Sequence, residues 1–256
     1  MLLTIDIGNT SIGFGLFEGA TLACQFRCES AHQRTSDEYA VLLRQMLALR
    51  DMDPKKVEAS IIASVVPPLT DVIVDAVRKA FAREPLIVGP KIRSGMAILY
   101  ETPRDVGTDR IVNAVAAYDQ VKGGVIVVDF GTATTFDCVS EKGDYLGGVI
   151  APGIMISAEA LVSRAAKLHP VDIAKPSRVV GRNTVQSMQS GIVFGYAAMV
   201  DGVVARIKAE LGYPCTVIGT GGYVRLIAPE TTSIDRVDEV ITLHGLRLLY
   251  ERNVES

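Results

Sequence analysis

Short apolar runs of strand length alternate with longer stretches of helical spacing along this chain, and the alternation occurs twice. In the first half, residues 2–5, 12–17 and 20–27 read as three consecutive strands, with Glu18-Gly19 as the tight turn joining the second to the third. Ser36, Asp37 and Glu38 then supply an N-cap and an acidic first turn for a helix carrying Val41, Leu42, Met46 and Leu47 at helical spacing. A strand over 59–64, the punctuation Pro67-Pro68, a helix over 69–81 and a short strand over 85–88 complete the half. The second half opens the same way, with strands over 124–129, 134–139 and 145–150. Pro152-Gly153 leads into a helix, helical spacing resumes over 184–211, and a strand at 215–218, a turn at 219–222 and a closing helix near 239–252 follow. The pattern predicts an α/β protein built from duplicated βββαβαβ halves, each a mixed sheet flanked by helices. The expected division is 1–108 and 109–256, with a helix near 109–122 that the halves share.

The duplication brings two turns into correspondence, Asp6-Ile7-Gly8-Asn9-Thr10 and Asp129-Phe130-Gly131-Thr132-Ala133-Thr134. Each follows an apolar strand that ends on Asp, with Gly two positions later and small polar residues beyond it. A strand-end Asp can hold Mg²⁺ through water, because this ion keeps much of its hydration shell. The Gly removes a Cβ that would keep phosphate from the backbone, and successive amides in a tight turn form an anion-binding concavity. An ordinary hairpin accounts for either turn alone; the recurrence favours a nucleotide clamp with a cleft between the halves. The chain has no G-x-x-x-x-G-K-[ST] loop, and Gly13-Phe14-Gly15 lacks the third glycine of a dinucleotide fingerprint.

Composition removes several other classes. Hydrophobic residues make up 48% of the 256, enough for well-filled cores, and charged residues are expected to interrupt every apolar segment short of membrane-spanning length. The N-terminus reads as a first strand rather than a signal peptide, so a cytoplasmic protein with no membrane association is expected. A net charge of −3 provides no basic field for nucleic acid. Cys24, Cys28, Cys138 and Cys215 form no C-x-x-C and read as buried, reduced thiols. His32, His169 and His244 are too dispersed for a zinc site or a His-based triad.

Between the halves lies Tyr100 and, a little further on, Gly107-Thr108-Asp109-Arg110, leading into the helical run 111–118. A carboxylate at such a helix start can accept a hydroxyl proton, and the neighbouring guanidinium can hold an anion bidentately. By itself the element could equally be a helix cap with a surface ion pair. Together with both Asp-Gly turns, Gly147-Gly148-Val149-Ile150-Ala151-Pro152-Gly153 and Gly219-Thr220-Gly221-Gly222, it resembles the type III pantothenate kinases over nearly the whole chain. These belong to the acetate and sugar kinase, Hsp70 and actin superfamily.

That resemblance implies an actin-like (ribonuclease H-like) fold and transfer of phosphate from ATP to pantothenate, the first step of coenzyme A biosynthesis. It implies that Asp6, Ile7, Gly8, Asn9, Thr10, Ser11, Ile12, Gly13 and Thr132 bind ATP, with Asp6 handling Mg²⁺ through water. Asp109 would be the catalytic base. Tyr100, Gly107, Thr108, Asp109, Arg110 and Thr184 would bind pantothenate, and Asp129 a monovalent cation, K⁺ or NH₄⁺. The Gly219 to Gly222 turn would lie near the adenosine. Family members are homodimers, which makes 191–204 a candidate dimer face, although the same stretch could be internal core. Two alternatives stay open: a kinase or phosphohydrolase of the same superfamily with another substrate, and a non-catalytic accessory or regulatory module.

Overall fold

In the computed structural model, which describes residues 1–254, the opening apolar runs form an antiparallel meander. It consists of β1 (Leu2–Ile7), β2 (Ser11–Glu18) and β3 (Thr21–Glu29). Gly19 takes a left-handed φ of 57° in the turn between β2 and β3, a conformation that costs glycine little. Helix α1 (Ser36–Ala48) begins one residue earlier than the acidic cluster suggested. Its N-cap is Thr35, which forms a reciprocal capping box with Glu38, so Ser36 is already inside the helix. The Thr35 backbone and hydroxyl hydrogen bonds hold the Glu38 carboxyl below its ordinary pKa. After β4 (Ala59–Ser64), helix α2 (Pro67–Phe81) starts on the proline pair, since Pro at the first helical position forfeits no intrahelical hydrogen bond. The short β5 (Leu86–Ile87) ends this set, and the sheet order is β3-β2-β1-β4-β5.

The second set repeats the plan with β6 (Val125–Phe130), β7 (Ala133–Val139), β8 (Tyr145–Pro152), β9 (Thr216–Gly221) and β10 (Arg236–Val237). Their order, β10-β9-β6-β7-β8, is the first sheet's order with each strand replaced by its counterpart. In both sheets the first two hairpins are antiparallel, and the strands that follow the helices pair in parallel. Helices α4 (Ile154–Arg164) and α5 (Thr184–Leu211) occupy the place of α1, and the single turn α6 (Val224–Ile227) that of α2. Helices α3 (Thr108–Val121) and α7 (Ile241–Val254) each follow the last strand of a set.

The chain divides into two compact units, and the division is not a single cut. One unit holds Met1–Met96, Glu101–Ala116 and the chain from Ile241 on; the other holds Ala97–Tyr100 and Ala117–Val240. The expected division at 108/109 differs from these units, because the first holds α3 up to Ala116 and all of α7. Its Leu246 and Leu249 are buried with Ile61, Ala63, Val88, Val112 and Val115 on one face of the first sheet. Full burial of each such aliphatic side chain stabilises by roughly 1.5–3 kcal/mol, enough to draw the last helix away from the strands that precede it. The opposite face packs α1 and α2 through Leu43, Leu47, Ile73 and Val77.

In the second unit, Ile126, Val128, Phe130 and Phe136 of the sheet are buried with Ile192, Val193, Tyr196 and Val200 of α5. Contrary to the expectation from the sequence, this helix contains an 18-residue window of mean hydropathy 1.4, long and apolar enough by composition to span a membrane. Its apolar character comes from packing residues on one side and from small residues on the other. The thiol expectation also needs correction: Cys138 and Cys215 are buried, but Cys24 and Cys28 on β3 are only half-buried.

Candidate active site

The Asp6 loop begins where β1 ends. Asp6 pairs with Gly13 on β2 and Ala63 on β4, and Ile7 pairs with Ile12, which leaves residues 8 to 11 as the loop. Gly8 donates its N–H to the Ser11 carbonyl at 3.1 Å, and the Ser30 hydroxyl donates to the Gly8 carbonyl at 2.6 Å. Asn9 and Thr10 form the exposed rim of a turn whose flanking Ile7 and Ile12 are fully buried. This anchoring fixes the loop backbone while leaving its outer side open to a ligand.

Asp109 belongs to the same unit. Thr108 Oγ1 donates to the Ser64 carbonyl at 3.1 Å, tying the first turn of α3 to the end of β4. Ser64 is in register with Ile7, the residue after Asp6. The two acidic residues therefore stand on elements secured to neighbouring strand ends. Gly107 matters because of what it lacks: a Cβ there would come within 2.6 Å of Asp109 Oδ1. The same oxygen accepts the Arg110 N–H at 2.8 Å. Asp109 is half-buried and Arg110 buried. Burial pushes the Asp109 carboxyl above its ordinary pKa, and the Arg110 amide and guanidinium only partly offset it. A carboxylate in this state is a stronger base than an exposed aspartate.

The second loop is one residue shorter than the first. Phe130 pairs with Thr134, leaving residues 131 to 133, and the Gly131 N–H closes the turn on the Ala133 carbonyl at 3.1 Å. Two glycines that the sequence left without a part in this loop press on it. A Cβ on Gly153, at the start of α4, would overlap the Thr132 carbonyl oxygen. A Cβ on Gly221, whose φ is +92°, would overlap Asp129 Oδ1 and lie within 2.6 Å of the Phe130 nitrogen. Gly221 thus lies against Asp129, which gives the glycine turn a task besides its expected place near adenosine. The signal for both was their recurrence in glycine-rich motifs, but their target was invisible before the strands were paired.

The remaining expected residues divide between the units. Tyr100 lies in the second unit, 38% exposed, with its ring 3.3 Å from the position a Gly147 Cβ would take. The segment before it is held by the Leu99 N–H to the Tyr145 carbonyl and the Tyr145 N–H to the Ala97 carbonyl, both 2.8 Å. Thr184 is the first residue of α5 and is exposed. Capping falls to Asn183, whose side chain accepts the Gln186 N–H at 2.9 Å, so Thr184 is not the cap. Within the first unit the fold brings together the Asp6 loop and the Gly107 to Arg110 turn. Within the second, the Asp129 to Thr132 loop and the Tyr100 segment lie on one sheet, and Thr184 heads the helix packed against it.

The duplicated sheets with paired Asp-Gly hairpins define a protein of the actin-like fold. Solved structures share the fold: a ROK hexokinase from Thermus thermophilus (TM-score 0.53, 13% identity, covering 100% of this chain and 99% of that one) and a Campylobacter jejuni protein described as a Baf family transcriptional activator (TM-score 0.60, 18% identity, 98% of each). At the sequence level, residues 2–206 match the family model for type III pantothenate kinase. The type III pantothenate kinase of Myxococcus xanthus is 54% identical over 256 residues, covering 100% of both chains, and that of Moorella thermoacetica is 51% identical over 253 residues, covering 99% of this chain and 100% of the relative. The chain belongs to the type III pantothenate kinase family.

Proposed function

We propose that this chain transfers the γ-phosphoryl group of ATP to the primary hydroxyl of pantothenate, opening coenzyme A biosynthesis. The observation that carries the reading is Asp109, a half-buried carboxylate of raised proton affinity given room by Gly107 and anchored through Thr108 beside the strand end that bears the Asp6 loop. In the proposed step the pantothenate hydroxyl oxygen bonds to the γ-phosphorus and its proton passes to Asp109. The bond from that phosphorus to the bridging oxygen breaks, and ADP leaves. Phosphoryl transfer asks mainly for placement and charge stabilisation. Residues Asp6 to Gly13 and Thr132 serve ATP, with Mg²⁺ reached from Asp6 through water. Arg110 suits the pantothenate carboxylate by bidentate pairing, and Tyr100, Gly107, Thr108 and Thr184 complete its contacts.

Asp129 is the proposed site of K⁺ or NH₄⁺. The fit is supported by a carboxylate held against the bare backbone of Gly221, whose missing Cβ leaves room for Asp129 Oδ1 beside it. A coupled assay with ATP, Mg²⁺, K⁺ and pantothenate tests the function: ADP release that depends on pantothenate is expected, and nucleotide binding without turnover would point instead to an accessory module.

We also propose a cytoplasmic homodimer that binds neither membrane nor nucleic acid. The exposed side of α5 carries Gly191, Gly195 and Gly202, where an added Cβ would meet nothing within 4 Å, and Ala198 and Ala205 continue the strip. Exposed Ile150, Met155, Ile156 and Leu161 lie elsewhere in the same unit. Small residues let helix backbones approach closely, so a second copy could cover this face. Sedimentation equilibrium should give twice the chain mass, and Gly195→Arg should give a folded monomer; a monomeric unmodified protein would refute the dimer.

A further inference from the structure

We propose that Thr135 and Thr220 supply hydroxyl ligands to the cation at Asp129, and that Asp137 orients Thr135 for this purpose. The inference rests on reading Asp129 as the cation site. Strand register is its first support. Asp129 on β6 is paired with Thr135 on β7 to one side and with Thr220 on β9 to the other. Residues in register on adjacent strands project from the same face, about 5 Å apart. The carboxylate therefore stands in the middle of a row, with one hydroxyl on each flank. Thr220 is 2% exposed and Thr135 half-buried, so an ion there would exchange water for protein oxygens.

The hydrogen bonding of Thr135 is the second support. Its hydroxyl donates to Asp137 Oδ2 at 3.2 Å, while Asp137 Oδ1 accepts the Tyr145 hydroxyl at 2.7 Å. Asp137 is fully buried, and the proposed phosphoryl transfer gives it no other task. A threonine hydroxyl has a single proton. With that proton directed to Asp137, the lone pairs of Thr135 are left for a cation, whereas a proton turned toward the ion would repel it.

Gly221 provides an independent third support. Its missing Cβ lets Asp129 Oδ1 lie against the backbone of the residue that directly follows Thr220, so the carboxylate leans toward that flank of the row.

The test needs no turnover. The melting temperature is followed without substrates while K⁺ replaces choline at constant ionic strength. K⁺ should stabilise the unmodified protein, and Asp129→Asn should abolish the response. Thr135→Val and Thr220→Val, which keep the shape and remove the hydroxyl, should each raise the half-saturating K⁺ concentration about tenfold, the loss of one ligand interaction. Thr135→Ser and Thr220→Ser should restore it, and they carry the test if a valine variant melts poorly in choline. Asp137→Asn should weaken K⁺ in the same direction as Thr135→Val. With saturating K⁺, the KM for pantothenate should stay at the unmodified value in the threonine variants, a split that general loosening of the sheet would not give. If both valine variants bind K⁺ normally while Asp129→Asn does not, the threonine assignment is wrong and the Asp129 reading stands. An unmodified protein indifferent to K⁺ would overturn both.

Discussion

Asp109→Asn is expected to lower kcat by about 10²–10⁴-fold, the usual contribution of a positioned general base, without lowering stability at neutral pH. The second half of this expectation follows from the raised pKa. Burial is its main cause, and the Arg110 amide and guanidinium oppose it. An acid whose folded pKa lies above the unfolded value, about 3.9 for Asp, stabilises the fold most when protonated. That contribution is complete below the unfolded pKa and is lost as pH rises through the folded one. At neutral pH the ionised carboxylate therefore costs folding free energy. Asparagine keeps an oxygen for the Arg110 N–H and removes the charge. Calorimetry should find Asp109→Asn as stable as the unmodified protein or more so at pH 7, with the difference shrinking toward about pH 4. The same shift places the acid limb of kcat above the pKa of an ordinary aspartate. Near-normal kcat in a folded Asp109→Asn that binds both substrates would remove Asp109 from the mechanism.

The second large effect is expected at a residue that touches no substrate in this scheme. In Gly153→Ala the new methyl group would overlap the Thr132 carbonyl oxygen and crowd the Gly131 carbonyl. Both obstacles are backbone, which cannot swing aside as a side chain can, so the loop or the start of α4 must move. Overpacking of this kind costs about 1–3 kcal/mol, and here part of that cost is displacement of a proposed phosphate contact. The KM for ATP should rise about tenfold or more, while the KM for pantothenate changes little and the melting temperature falls. Gly89→Ala is the contrasting case, because its Cβ would enter open space and its backbone lies outside the left-handed region, so the substitution mainly restricts the unfolded chain; its melting temperature should not fall. If Gly153→Ala binds ATP normally, the Thr132 loop does not depend on this contact.

Much of the fold was legible because it is written in local chemistry. The three opening strands and the glycine turn after Glu18 depend on residues close in sequence, whereas α2 begins on Pro67, two residues before the expected start, because Pro fits the first helical turn. At α1 a competing local group takes over: Thr35 rather than Ser36 caps the helix, because only Thr35 completes the reciprocal bond with Glu38. Strand β10 leaves no mark in the sequence pattern, because two exposed residues, Arg236 and Val237, carry no periodicity. Similarly, α7 follows the second set of strands in sequence, whereas its apolar face is buried on the first sheet.

The sequence by itself determined the duplicated halves, the two Asp-Gly turns and the Gly107 to Arg110 element, since strand period, turn residues and short motifs are properties of contiguous chain. Only the tertiary structure decided what those turns lean on. Gly153 and Gly221 press on the second loop, Thr108 ties Asp109 to the end of β4, and Thr220, Asp129 and Thr135 form one row. Each of these depends on strand register or on the approach of segments distant in sequence. Such pairings are fixed by burial across the whole sheet, and no short stretch of sequence encodes them.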